Sequence, residues 1–127
     1  MKFKMKEGGF TSELEYGSLH VSGNEEYGFR PYQLLVSSIA VCSGGVLRKV
    51  LEKMRLSFDD IEVNAEVERN EAIANRVEKI HLHFIIKGTQ IDEQKLEKAM
   101  ALTRKNCSMV QSVIGSIEVT ETVEIKS

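Results

Sequence analysis

Residues 31–54 read PYQLLVSSIAVCSGGVLRKVLEKM and open on the only proline in the chain. Proline fixes φ at a value that suits the first position of a helix, where a backbone N–H would have no partner in any case. Behind it Leu34, Leu35, Ile39, Cys42, Val46, Val50 and Met54 recur at three- and four-residue intervals, the period of an α-helix. Val36, Ala40, Val41, Leu47 and Leu51 carry the apolar stripe well around the cylinder, leaving only the end near Arg48, Lys49, Glu52 and Lys53 for solvent. The helix is about 36 Å long at about 1.5 Å per residue. That matches the diameter of about 36 Å implied by a radius of gyration near 14 Å for a chain of this size. Such a helix runs through the middle of a fold and needs cover on both flanks.

Upstream, three short strands are predicted, Lys2–Lys6, Phe10–Tyr16 and Ser18–Ser22, divided by the turn glycines Gly8-Gly9 and Gly17. Residues 23–30 form a polar loop leading to Pro31. Downstream of Ser57-Phe58-Asp59-Asp60 the period changes to two. Ile61, Val63, Ala65 and Val67 share one face of a strand, and over Val77–Lys87 Ile80, Leu82, Phe84 and Ile86 alternate with Lys79, His81 and His83. Asn70–Asn75 is the connecting hairpin loop. Asp92 is an N-cap for a helix that reaches Lys105 with Leu96, Ala99, Met100 and Thr103 inward. Asn106 breaks it, a short helix runs from Cys107 to Ile114 and ends at Gly115, and Ser116–Ile125 is a final strand. The order βββ-α-ββ-αα-β predicts an α+β fold, with an antiparallel sheet wrapped around the long central helix and residues 1–127 forming a single domain. One sheet covers one flank. Gly44 and Gly45, each costing roughly 1 kcal/mol against alanine inside a helix, suggest that a second subunit's backbone approaches the other, so a homodimer is expected.

Composition narrows the function. A chain of 127 residues can bury a core without metal or disulfide staples. A formal charge of -2 and a pI near 5.9 offer no concentrated basic face, which sets nucleic acid aside. The uncharged stretch Pro31–Leu47 approaches membrane-spanning length, yet Gln33, Ser37, Ser38, Ser43 and two glycines interrupt it, so a buried helix is expected and no membrane. Met1–Lys6 alternates charged and apolar residues and reads as a strand instead of an export signal. The expected compartment is therefore a reducing cytoplasm, where paired cysteines are catalytic, metal-binding or inert more often than permanent staples.

The chain has two cysteines. Cys42 shares a helical face with Leu35, Ile39 and Val46, and its plain reading is a small buried hydrophobe. Cys107 lies in Thr103-Arg104-Lys105-Asn106-Cys107-Ser108. If Asn106 caps the short helix, Cys107 takes its first position, where free N–H groups, the helix dipole and the charges of Arg104 and Lys105 lower a thiol pKa. His81-x-His83 places two imidazoles on one strand face, but without a third ligand a polar sheet face or subunit contact is the better reading and no metal is assigned. Asp59 and Asp60, adjacent on a strand, point to opposite faces and read as surface charge. No nucleophile elbow, phosphate loop or dinucleotide fingerprint is present, and no cofactor is expected.

The segment Arg30-Pro31-Tyr32-Gln33-Leu34-Leu35-Val36-Ser37-Ser38-Ile39-Ala40-Val41-Cys42 resembles the OsmC/Ohr family of osmotically inducible and organic hydroperoxide resistance proteins. There a Pro-x-x-Leu helix start is followed by small residues and a cysteine eleven positions after the proline. Arg104–Val110 resembles that family's second cysteine motif, and the element order matches across essentially the whole chain. The resemblance implies a thiol peroxidase that works as an intertwined dimer with sites at the subunit interface. Cys42 would be the peroxidatic thiolate attacking an organic hydroperoxide, Cys107 the resolving thiol that forms a disulfide, and an external dithiol the reductant. A resolving thiol nearby also keeps the sulfenic acid from irreversible oxidation.

The chain departs from that pattern at the helix start. Peroxide-reducing members carry a glutamate directly after the proline, which orients an activating arginine; this chain has Tyr32, and its N-terminal strands offer no arginine that aligns. Arg30, Tyr32 and Gln33 are the candidate supporting residues by proximity. Two functional readings follow, a two-cysteine organic hydroperoxide peroxidase and a non-catalytic dimer of the same fold that binds a small apolar ligand or senses redox state.

Overall fold

The computed structural model describes every residue, Met1–Ser127. Its contacts divide the chain into two units, Met1–Ser37 and Ser38–Ser127. In the first, strands β1 (Lys4–Lys6), β2 (Gly9–Glu13) and β3 (Ser18–Val21) form an antiparallel meander in that order. Gly8 makes the β1–β2 turn at φ 77°, a left-handed value, and a side chain there would collide with the Tyr27 ring. The polar loop after β3 is pinned: Phe29 N–H donates to His20 O at 2.8 Å, and Ser22 N–H donates to Phe29 O at 3.1 Å.

Helix α1 (Pro31–Lys53) begins in the first unit and continues through the second. By length and composition it could cross a membrane, but its Ile39, Ser43, Leu47 and Leu51, one stripe at four-residue spacing, are buried in the fold. The helix ends one residue short of Met54. Leu56 N–H donates to Leu51 O and Arg55 N–H to Glu52 O, the paired bonds of a Schellman stop, with Arg55 in the left-handed conformation at φ 58°.

The second unit adds β4 (Asp60–Asn70), β5 (Arg76–Lys87), helices α2 (Glu93–Asn106) and α3 (Ser108–Val113), and β6 (Glu118–Lys126). The expected element order and the α+β class hold. The expectation of one antiparallel sheet is corrected: there are two three-stranded sheets, and in the second, β4-β5-β6, β5 pairs with β6 in parallel, Ile80 opposite Val119 and Phe84 opposite Val123. The physical reason is the connection. Parallel neighbours require a crossover of a dozen residues or more, and residues 88–117 with α2 and α3 supply one.

Period-two patterning has the expected result on β5, where Ile80, Leu82, Phe84 and Ile86 are fully buried while His81 and His83 face the other way. The same core takes Leu96, Ala99 and Thr103 from α2, Val110 from α3 and Val119 from β6. Asp92 caps α2 as expected, its carboxylate accepting from the N–H groups of Gln94 and Lys95.

Candidate functional site

Cys42 lies on the part of α1 that belongs to the second unit, on a flank adjoining the buried Ile39/Ser43/Leu47 stripe, and it is half-buried. Cys107 forms the corner between α2 and α3. Its N–H closes α2 by donating to Thr103 O at 2.9 Å, its extended backbone (φ -79°, ψ 109°) turns the chain, and its carbonyl accepts the first bond of α3 from Gln111 N–H at 3.0 Å. That corner buries the Cys107 side chain completely and aims the first turn of α3 at Cys42.

First-turn N–H groups have no partner inside their own helix. Here they serve the Cys42 sulfur. The Met109 N–H holds its pKa below the ordinary thiol value against the opposing effect of burial, with further help from the Cys107 thiol and from the hydroxyl and N–H of Ser108. The Ser108 Oγ stands 3.7 Å from Cys42 Sγ. Cys107 moves in the opposite direction. Burial pushes its pKa up, the Val110 N–H opposes that, and the neighbouring Cys42 raises it further. Of the two thiols Cys42 is therefore the more readily ionised, and Cys107 the one held toward its neutral form.

Four expectations about Cys107 and its surroundings are corrected. Asn106 does not cap α3: it is the last residue of α2, and its side-chain amide donates to Leu102 O at 2.9 Å. Cys107 is itself the N-cap of α3, not its first residue, and the thiol whose pKa falls is Cys42. Nor does Arg104 lend its charge to the thiols; it donates to Val119 O and pairs with Glu121.

Arg30 and Tyr32 form a pair of their own in the first unit. The Arg30 Nη2 donates to Tyr32 Oη at 2.8 Å, and the guanidinium carbon lies 4.9 Å from the ring centroid. Gln33 is exposed. On the outer face of the second sheet, His81 bonds to Thr120 and Thr122, and His83 to Thr122 and Glu124, so the two imidazoles belong to a polar ladder across β5 and β6. Asp59 and Asp60 are exposed and line a groove of about 520 Å³ between α1 and β4, together with Ala40, Val41, Gly44 and Gly45; Cys42 is not among its lining residues. The residues that reading along the chain missed are Ser108 and Met109. Their only signal was adjacency to Cys107 at a helix start.

A family model described as OsmC-like protein matches residues 22–122, a span that includes α1, the corner between α2 and α3, and both cysteines. The chain belongs to the OsmC-like protein family. Among curated relatives this OsmC-like chain is 26% identical over 96 residues to Protein YhfA of Escherichia coli strain K12, covering 75% of this chain and 72% of that protein. A hypothetical protein from Aquifex aeolicus VF5 has the same fold at a TM-score of 0.87 and 27% identity, over 98% of this chain and 93% of that one. The Legionella pneumophila organic hydroperoxide resistance protein OsmC superposes at a TM-score of 0.75 and 20% identity, covering 97% of this chain and 93% of its own, a likeness of fold.

Proposed function

We propose that this OsmC-like protein is a thiol-dependent peroxidase that reduces organic hydroperoxides, with Cys42 as the attacking and Cys107 as the resolving thiol. The observation that carries the reading is the seating of the first turn of α3 on the Cys42 sulfur, with Ser108 Oγ 3.7 Å away, beside a fully buried Cys107, surroundings that favour ionisation of the first thiol and disfavour that of the second. Only a thiolate attacks peroxide efficiently. The Cys42 sulfur takes the distal oxygen, the O–O bond breaks, and an alkoxide leaves and collects a proton from solvent. The resulting sulfenic acid reacts with the Cys107 thiol to give a disulfide and water, and an external dithiol returns both sulfurs to the reduced state. No cofactor enters that balance. A dithiol reductant places the protein in a reducing compartment, the cytoplasm.

The reading includes a homodimer in which residues 1–127 act as one functional domain. Its support is apolar surface: Val41 is 73% exposed and Phe29 62% exposed. A second reading, a non-catalytic dimer that binds an apolar ligand or senses redox state, is favoured by one observation. At the helix start the phenol of Tyr32 engages Arg30, where the peroxidases that this chain resembles carry an acid.

Stopped-flow mixing of the reduced protein with cumene hydroperoxide separates them. The peroxidase reading expects thiol loss far faster than for free cysteine, abolished by Cys42→Ser, and in Cys107→Ser a sulfenic acid trappable by dimedone. Thiol loss no faster than that of free cysteine would reject it in favour of the ligand-binding or sensing role.

A further inference from the structure

We infer that Ser108 is a further catalytic residue of this site, its hydroxyl donating to the Cys42 sulfur and holding it for attack; the inference rests on the peroxidase reading for its reaction and on geometry for its contact. The Ser108 Oγ lies 3.7 Å from Cys42 Sγ, within reach of a sulfur hydrogen bond, and bridges 66 residues of sequence to do so. The contact is not a by-product of helix capping. Ser108 is the first residue of α3, and the N-cap position belongs to Cys107. An exposed serine hydroxyl at a helix start would ordinarily be left to water, whereas this one meets the reacting atom.

A hydroxyl suits that place chemically because it can both donate and accept. Toward a protonated Cys42 it accepts the S–H; toward the thiolate it donates, and a hydrogen bond to an ionised partner is the stronger of the two. The remaining donors to Cys42 are the backbone of Ser108 and Met109 and the buried Cys107 thiol. Ser108 is therefore the donor that lies outside the core and can be removed alone. In the reaction the sulfur lone pair forms the S–O bond with the distal peroxide oxygen, the O–O pair departs on the proximal oxygen, and that alkoxide takes a proton from water. Ser108 keeps its own proton throughout. Its contribution is to the fraction of Cys42 ionised and to the direction in which the sulfur lone pair points.

The test uses the full-length protein with Ser108→Ala, Ser108→Thr and Ser108→Pro. Iodoacetamide labelling of Cys42, followed peptide by peptide across pH, gives the ionisation midpoint; stopped-flow consumption of cumene hydroperoxide gives the rate. Ser108→Ala is expected to move the midpoint upward and slow the neutral-pH peroxide rate by about threefold to tenfold, the range for losing one charge-assisted hydrogen bond at a partly exposed site. Ser108→Thr restores both. Ser108→Pro removes the hydroxyl and the N–H together at a position where proline is tolerated, so it falls below Ser108→Ala while the circular dichroism spectrum stays native; if it misfolds, the alanine and threonine variants decide. A midpoint unmoved in Ser108→Ala, or no restoration in Ser108→Thr, overturns the inference. If the wild-type protein consumes peroxide no faster than free cysteine while the midpoint still rises in Ser108→Ala, the peroxidase reading falls and the role of Ser108 in holding the thiolate stands.

Discussion

At Cys42 the first turn of α3 turns its N–H groups onto a half-buried sulfur, and at Cys107, the residue that makes that turn, burial keeps the proton on. The same functional group therefore titrates in two directions a single hydrogen bond apart. Because ionisation tracks pH, a thiol with a lowered pKa becomes reactive earlier as pH rises and reaches its plateau earlier. Cys42 is expected to be alkylated with a midpoint below the ordinary value of 9.0, with Cys107 unlabelled until denaturant is added. Peptide mapping after timed iodoacetamide pulses checks this, and equal labelling of both residues would contradict it. The residues around Cys107, Asn106, Arg104 and Lys105, mark it in sequence for a lowered pKa, whereas the family resemblance marks Cys42 as the thiolate. The cause of the difference is tertiary: the donors beside Cys107 in sequence point across space to a residue on another helix, while Arg104 is taken up by Glu121. The motifs single out both cysteines, but which thiol ionises more readily depends on how the corner between α2 and α3 presents the first turn of α3.

The elements were legible wherever a residue carries its own signal. Pro31 starts α1 and Asp92 caps α2 where expected, and the alternation on β5 sorts Phe84 inward and His83 outward. The parallel seat of β6 was less so, since a strand's own pattern is silent on direction and only the two-helix crossover before it speaks. The end of α1 is marked least of all. Its Schellman stop needs a left-handed residue, commonly glycine, and the chain supplies Arg55 at φ 58°. A residue with a Cβ pays roughly 1–2 kcal/mol for that conformation, and a glycine gives back part of the gain through its freer unfolded state. Arg55→Gly is accordingly expected to stabilise the protein by about 0.5–1 kcal/mol. A urea midpoint shifted upward with an unchanged slope checks it, and a downward shift would mean that the Arg55 side chain contributes more than its backbone costs. Cys42 labelling is expected to remain as in the wild type, since Arg55 lies beyond the C-terminus of α1.

For the whole molecule, the two mid-helix glycines that suggested a partner have separate explanations. A side chain at Gly44 would press to 3.2 Å from Val63 of the chain's own β4, so that glycine is accounted for within one subunit. A Cβ at Gly45 would meet nothing within 4 Å. Gly45 shares its flank of α1 with Val41, which is 73% exposed, and an uncompensated helical glycine beside an exposed apolar side chain fits the approach of a second copy. In a lone subunit, Gly45→Ala has only helix propensity to gain, about 1 kcal/mol. In a dimer closed over this flank, the added methyl must displace the partner's atoms, so the subunit gains stability while the assembly loses it. The expected outcome is a wild-type dimer in sedimentation velocity, with a dissociation constant raised about tenfold or more by Gly45→Ala and further by Val41→Glu, which forces a carboxylate into an apolar contact. A wild-type chain that sediments as a monomer throughout the micromolar range, with Gly45→Ala simply more stable, would instead leave this flank to solvent and the dimer without support.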